Sequence, residues 1–397
     1  MRHPGKDAVI AGAGISRIGR RTGIPALELT LEAVRAALDD AGLTVDQLDG
    51  ITSLGDTPPK EVAAALNIEP QFRGGGFDTG GLLSPVMSAC LAVREGRARH
   101  VLVYRTVQMM GGTIDTKPKS DSPKSDSPKP DSPKPARVKG PNVVMADVEY
   151  LLAAHAYSAA NWLAMQCRSH MELYGTTKEQ LGWVAINARR NAARNPLAVY
   201  REPIEMEHYL AARPVSSPFG LLDCDVPVDG SIAVVVSSAE HRSDSPHGAV
   251  TIESMGGASG AGSWTGRPDY PKMAATDAAT EMWSHTDLGP ADVDIAELYD
   301  GFTFLTLAWL EALGFCGDGE SGPFVEGGHR IAPDGQLPLN TYGGQLSAGR
   351  MHGYWVLYEA CQQLRGRAGE TAIPKRPEVA VVSAGGGPIA GCLLLTC

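Results

Sequence analysis

The sequence is poor in aromatic residues, which fill 6% of its 397 positions, and its seven cysteines include no CxxC pair. An odd number of dispersed cysteines argues against a disulfide framework or a structural zinc site, and points to a reducing compartment, the cytoplasm. Positive charge is also scarce: 35 Lys and Arg against 45 Asp and Glu leave a formal net charge of −10. That balance disfavours nucleic acid or an anionic membrane as the main partner, because both reward clustered cations. Long apolar runs are missing. The longest uncharged stretch, 379–397, is broken by Gly385-Gly386-Gly387-Pro388, and AVIAGAGI near the start is too short and glycine-rich for a span or a targeting segment.

Familiar catalytic signatures are equally sparse. GxSxG, P-loop and HExxH motifs are absent, and the ten histidines show no ligand spacing, so neither a metal nor a resident cofactor is expected. Gly12, Gly14 and Gly19 form GxGxxxxG rather than GxGxxG, and no acidic residue clearly ends the next strand. A tight turn after strand one is the preferred reading there, over a dinucleotide site.

What is present is a chain of two-domain length with alternating strand and helix signals. Strands are predicted at 8–13, near 50–53, at 101–104 and at 232–236. Helices are predicted at 25–41, 60–66 and 83–94, and through 147–193 with a break at Gly175. The order then restarts, with a strand at 250–254, a helix at 271–284 and a strand at 292–298. LTVDQLDGI from Leu43 and LGPADVDIA from Leu288 share a Leu, an acidic turn and a strand. The pattern predicts an α/β fold made of duplicated halves, 1–245 and 246–397. Residues 119–135 hold the pentads KSDSP, KSDSP and KPDSP, without an apolar side chain, and read as a disordered segment spanning about 115–140.

Three segments of the C-terminal half carry chemistry. Glu297-Leu-Tyr-Asp-Gly-Phe302 places polar groups where a buried strand runs into a helix at 304–313, and strand C-terminal ends are where α/β sheets expose reactive groups. Asn340-Thr-Tyr-Gly-Gly-Gln-Leu-Ser-Ala-Gly-Arg-Met-His-Gly353 is glycine-rich and opens a helix at 354–364, whose N-terminus favours negative charge. Ser383-Ala-Gly-Gly-Gly-Pro388 is a tight turn between two apolar strands.

In this order and spacing, together with Val9-Ile-Ala-Gly12 and Asp229-Gly-Ser-Ile-Ala233, these segments resemble the thiolase superfamily, in the branch of sterol-carrier-protein thiolases and lipid-transfer proteins. The resemblance covers nearly the whole chain except 119–135. It implies a layered α-β-α-β-α sandwich, with 111–214 inserted in the first half, and a homodimer. The family's nucleophilic Cys position matches Gly80 or Gly81, and Cys90 lies further along the helix as a core residue. The second family Cys matches Ser383, the histidine of the family's GHP motif matches Arg350, and the Asn or His of its NEAF or HDCF motif matches Tyr299.

Without thiol and histidine, Claisen acyl transfer loses its nucleophile and base. The pattern resembles thiolase-like aldolases of bacterial steroid side-chain degradation, which work with an OB-fold partner of the DUF35 type. The resemblance implies a retro-aldol lyase acting on an acyl-CoA, with CoA entering as part of the substrate. Tyr299 and Tyr342 are the candidate proton-transfer residues, provided a neighbour such as Arg350 or a helix dipole lowers one phenol. Asp300, Arg350, His352 and Ser383 are supporting residues, Asp300 and Ser383 as hydrogen-bond partners, and for His352 a structural role at the helix start is the preferred reading. Gly80, Gly81, Gly343, Gly344, Gly385 and Gly386 are candidate substrate or oxyanion contacts. An acyltransferase using a displaced Cys, and a non-catalytic acyl-CoA or lipid carrier or scaffold, are the rival readings.

Overall fold

In the computed structural model, residues 4–55, 57–76, 81–110, 148–259 and 264–397 are described. The pentad repeats, the 115–140 segment and Gly80 lie outside the described residues.

The first strand, β1 (Ala8–Ile15), leads to helix α1 (Ala26–Ala41). Leu29, Ala33, Val34, Ala37 and Leu38 bury one face of α1, and Gly42 stops it in a left-handed conformation. There follow β2 (Gly50–Ser53), α2 (Pro59–Leu66), β3 (Phe72–Gly75), α3 (Ser84–Arg94) and β4 (His100–Gln108). A helical stretch then carries α4 (Val148–Ala153), α5 (Ala159–Tyr174), α6 (Lys178–Arg194) and α7 (Met206–Leu210). Thr177 caps α6: its Oγ1 accepts from the Gln180 N–H at 3.2 Å, while Gln180 Oε1 accepts from the Thr177 N–H at 3.0 Å. A small hairpin, β5 (Pro214–Ser216) with β6 (Phe219–Gly220), precedes β7 (Asp229–Ser238).

The second half contains β8 (Val250–Ser259), α8 (Ala274–Trp283), β9 (Ile295–Glu297), α9 (Thr303–Ala312), α10 (Ser321–Val325), α11 (Tyr354–Leu364), β10 (Val379–Gly385) and β11 (Ile389–Thr396). Its strands run β9-β10-β11-β8, and those of the first half run β3-β2-β4-β7-β1. In both, a parallel pair (β2 with β4, β9 with β10) adjoins two antiparallel ones (β4–β7–β1, β10–β11–β8). The same local order has therefore been built twice. Two residue pairs, Val9 with Thr251 and Ile10 with Val250, join the halves into one nine-stranded sheet.

Strand alternation sorts side chains into layers. Ala11, Leu102, Tyr104, Ala233 and Val235 face α1 and α2, whereas Ile10, Val101, Val103, Ile232 and Val234 join the main core. Helix α11 touches β9 and β10 of one half and β1 and β7 of the other, so it lies between them.

Gly12 and Gly14 sit inside β1 and not in a turn after it, which corrects the expectation above. A Cβ on Gly12 would fall 2.2 Å from the Ala37 carbonyl oxygen, and one on Gly256 of β8 would fall 2.0 Å from that of Ala278. Each half uses glycine to seat its outer helix against its first strand.

Candidate active site

Four segments meet where β9 and β10 end. Residues 299–302 leave β9, the glycine turn closes the β10–β11 hairpin, and 345–352 precede α11. The fourth, 224–226, stitches two of the others together. The Asp225 N–H donates to the Gly301 carbonyl at 3.1 Å, the Val226 N–H to Gln345 at 2.9 Å, and the Arg350 N–H returns to Val226 at 2.8 Å. Ser383 Oγ accepts from the Tyr299 N–H at 3.0 Å and so fixes 299 against β10.

These segments enclose an open cleft of about 780 Å³. Its polar lining comes from Tyr299, Asp225, Arg350 and His352, with Gly385 and Gly386 at one end. Leu82, Leu163, Trp264, Phe302, Leu305 and Ile389 supply an apolar wall. A few polar groups converging in an apolar cleft are the usual form of a small-molecule site.

The predicted residues divide in this setting. Tyr299, Arg350, His352, Gly385 and Gly386 line the cleft. Asp300 and Ser383 stand behind it, fully buried, holding backbone. Gly81 is buried against β11, next to the cleft residue Leu82. Tyr342 does not reach the cleft: it is 0% exposed, stacked on Trp355 with ring centroids 5.2 Å apart. Its Oη has no hydrogen-bond partner among the described residues.

The glycine-rich segment folds into one π-helical turn, Gly344–Ala348. The anion held by its backbone is Asp300, whose Oδ1 accepts from the Gln345 N–H at 2.8 Å and whose Oδ2 accepts from Leu346 at 3.4 Å. Gly344, with φ +61°, leaves room for that carboxylate, because a Cβ would lie 1.9 Å from Asp300 Oδ2. Gly343 is pressed against Ala192 of α6, and its N–H closes a turn onto Asn340. The Gly386 N–H is spent on the Ile389 carbonyl at 3.0 Å inside the hairpin. Gly343 and Gly344 thus serve packing and internal hydrogen bonds away from the cleft lining, while Gly386 lines the cleft with its N–H already spent.

The expected lowering of a phenol is reversed as well. Burial, with the carboxyl of Asp225 beside it, pushes Tyr299 above the usual tyrosine range, outweighing Arg350. Burial does the same to Tyr342. Arg350 instead pairs with Asp225, its Nη1 lying 3.3 and 3.4 Å from the two carboxylate oxygens. Burial raises the Asp225 carboxyl to about 7, against the pull of Arg350.

His352 is held well below the usual imidazole range by burial and by Arg105 and Arg350. Arg105 Nη2 lies 2.6 Å from His352 Nδ1. A guanidinium only donates, so Nδ1 accepts and the neutral ring carries its proton on Nε2. Cys90 is fully buried in α3, where burial pushes its thiol up to about 12. Asp225 was missed from sequence, although it stands four residues before the Asp229-Gly230-Ser231 motif.

Residues 256–393 match the family model described as "Thiolase C-terminal domain-like". The steroid side-chain-cleaving aldolase of Thermomonospora curvata is 32% identical over 407 residues, covering 98% of this chain and 97% of that protein. The 17-hydroxy-3-oxo-4-pregnene-20-carboxyl-CoA lyase of Mycobacterium tuberculosis is also 32% identical, covering 98% of this chain and 99% of its own length. A solved Ltp2-ChsH2(DUF35) aldolase superposes with a TM-score of 0.85 at 32% identity, covering 99% of this chain and 98% of that one. With its duplicated strand order and near full-length similarity, the chain belongs to the thiolase superfamily, in the branch that includes the steroid side-chain-cleaving aldolases.

Proposed function

We propose that the chain is a carbon–carbon lyase that splits a β-hydroxyacyl-CoA by retro-aldol cleavage into a ketone and a shorter acyl-CoA, with a steroid or similarly bulky group on the ketone side. The observation that carries this reading is the cleft's complement of a phenol, a neutral imidazole and an Asp–Arg pair, with no cysteine among its described lining residues. Acyl transfer through a thioester intermediate needs an accessible thiolate. Cys90, sealed in α3, does not provide one.

Retro-aldol cleavage needs three services. A base takes the β-hydroxyl proton, so that C–O becomes C=O as the Cα–Cβ bond breaks. A donor steadies the thioester oxygen as the electron pair arrives there, and the Nε2–H of His352 is suited to that position. An acid then protonates Cα, and Tyr299, whose raised phenol keeps its proton at neutral pH, is suited to give it. CoA enters and leaves as part of the substrate, and these steps call for no resident cofactor.

The apolar wall from Trp264, Phe302 and Leu305 suits a polycyclic group. A DUF35 protein as partner is supported by the Ltp2-ChsH2(DUF35) relative, and we expect a homodimer. Among the described residues no helix is long and apolar enough to cross a membrane, and all seven cysteines are free, which suits a reducing cytoplasm.

The test is to co-express the chain with DUF35 proteins and follow branched β-hydroxyacyl-CoA esters by mass spectrometry. The expected result is a ketone together with a shortened thioester. Tight thioester binding without turnover would make the chain a carrier or scaffold, and an acetyl label on Cys90 with loss of activity in Cys90→Ala would make it an acyltransferase.

A further inference from the structure

We propose that Asp225 is the base that removes the β-hydroxyl proton, with Arg350 holding its carboxylate toward the cleft. This rests on the lyase reading and names a group that the reading leaves open.

Placement comes first. Asp225 lines the cleft beside Tyr299, and its backbone is anchored to Gly301 on one side and, through Val226, to Gln345 and Arg350 on the other. Its side chain keeps 11% exposure and that of Arg350 keeps 33%, so the pair is reachable from the cleft. Elimination among the described lining residues comes second. The Arg350 guanidinium only donates and has no lone pair to offer a hydroxyl proton. His352 accepts from Arg105 through Nδ1 and presents N–H, not a lone pair, at Nε2. Tyr299 keeps its proton. Asp300 does not line the cleft, and its carboxylate is occupied by the N–H groups of Gln345 and Leu346.

The groups facing Asp225 are Arg350, Asp300, Tyr299 and its neighbour Cys224. Of these only Arg350 is positive. Burial and Asp300 together leave the carboxyl near 7, where it can both take and return a proton.

The proton account closes. Asp225 takes the hydroxyl proton, the hydroxyl carbon becomes the ketone, and the Cα–Cβ electrons enter the thioester enolate. Tyr299 gives its proton to Cα, and the proton on Asp225 then returns to the phenolate through the water of the open cleft.

The experiment compares wild type, Asp225→Asn, Asp225→Glu and Arg350→Met, each with and without a DUF35 partner, on a β-hydroxyacyl-CoA ester. For Asp225→Asn, kcat is expected to fall on the order of 10²- to 10⁴-fold with KM within roughly threefold. Wild-type kcat should rise as pH is raised through about 7, as the carboxylate forms. Asp225→Glu should keep that rise and recover part of kcat. Arg350→Met, lacking the charge that favours the carboxylate, should move the rise to higher pH. If wild type cleaves, and Asp225→Asn keeps a third or more of kcat with the rise intact, the assignment is overturned while the lyase reading stands. An Arg350→Met profile that stays in place likewise overturns it. If wild type releases no ketone in any form, the lyase reading and this base fall together.

Discussion

Two phenols meet different surroundings in this molecule. Tyr299 lies in the cleft wall beside Asp225 and Arg350, while Tyr342 is stacked on Trp355 with an orphaned, buried hydroxyl. Tyr299→Phe should therefore lower kcat by on the order of 10²-fold or more, leaving thioester affinity near wild type in a binding assay. Tyr342→Phe should leave kcat within about twofold and hold or raise stability by up to ~1 kcal/mol, since it deletes an unsatisfied buried hydroxyl. A tenfold loss of turnover in Tyr342→Phe would show that the hydroxyl reaches the reaction. Sequence alone set the two tyrosines side by side, because both occupy family motif segments. Which phenol enters the cleft depends on the stacking of Trp355 from α11, a contact that motif spacing does not encode.

At the scale of elements, fully apolar or strongly periodic segments were legible: β4, β7, α1 and α11 fall close to their predicted positions. Elements whose order comes from neighbours were not. β3, with the sequence FRGG, owes its extension to pairing with β2, and α7, α10 and the π-helical turn are too short to show a period. The π-helical turn also explains why Gly343 and Gly344, read as ligand contacts, serve packing and internal hydrogen bonds instead.

The loop before that turn is tied to β9 by a pair of buried acids. Thr341 Oγ1 lies 2.6 Å from Glu297 Oε1 and 3.0 Å from Glu359 Oε1, and its single proton can serve only one of them. Gln363 Nε2 also donates to Thr341, and Glu297 Oε2 has no partner among the described residues. Burial, and for Glu297 the charge of Glu359, holds both carboxyls above their usual range. The folded state then keeps a proton that the unfolded chain releases above the ordinary carboxyl pKa of 4.5. Stability from this source is complete below that value and falls, by about 1.4 kcal/mol per pH unit per proton, until pH passes the raised folded value. Thermal melts should show Glu297→Gln losing less stability than wild type between pH 5 and the alkaline side; parallel curves would mean the pair is ionised when folded.

At the scale of the whole molecule, the two halves are joined by a charge as well as by apolar packing. Arg365, just past α11 and fully buried, places Nη1 2.5 Å from Asp40 Oδ2 and Nη2 2.7 Å from the Ile10 carbonyl. Asp40, near the end of α1, also accepts from the Ala13 N–H at 2.9 Å. One ion pair thus fastens the last helix of the second half to the first strand and outer helix of the first. Because α11 follows the cleft segment 345–352, the same fastening supports the cleft's floor against both half-sheets. Removing one partner strands the other charge in the interior, which costs about 3–5 kcal/mol, whereas removing both with apolar replacements restores part of that. Asp40→Ala should therefore unfold at markedly lower denaturant, with the double variant Asp40→Leu/Arg365→Met recovering much of the loss. Tryptophan fluorescence, weighted toward the second half by four of the six tryptophans (Trp264, Trp283, Trp309 and Trp355), and far-ultraviolet circular dichroism, which reports both halves, should change together in each variant. Separate transitions for the two signals would show instead that the halves fold independently, and that the Asp40–Arg365 pair only decorates a junction held by packing.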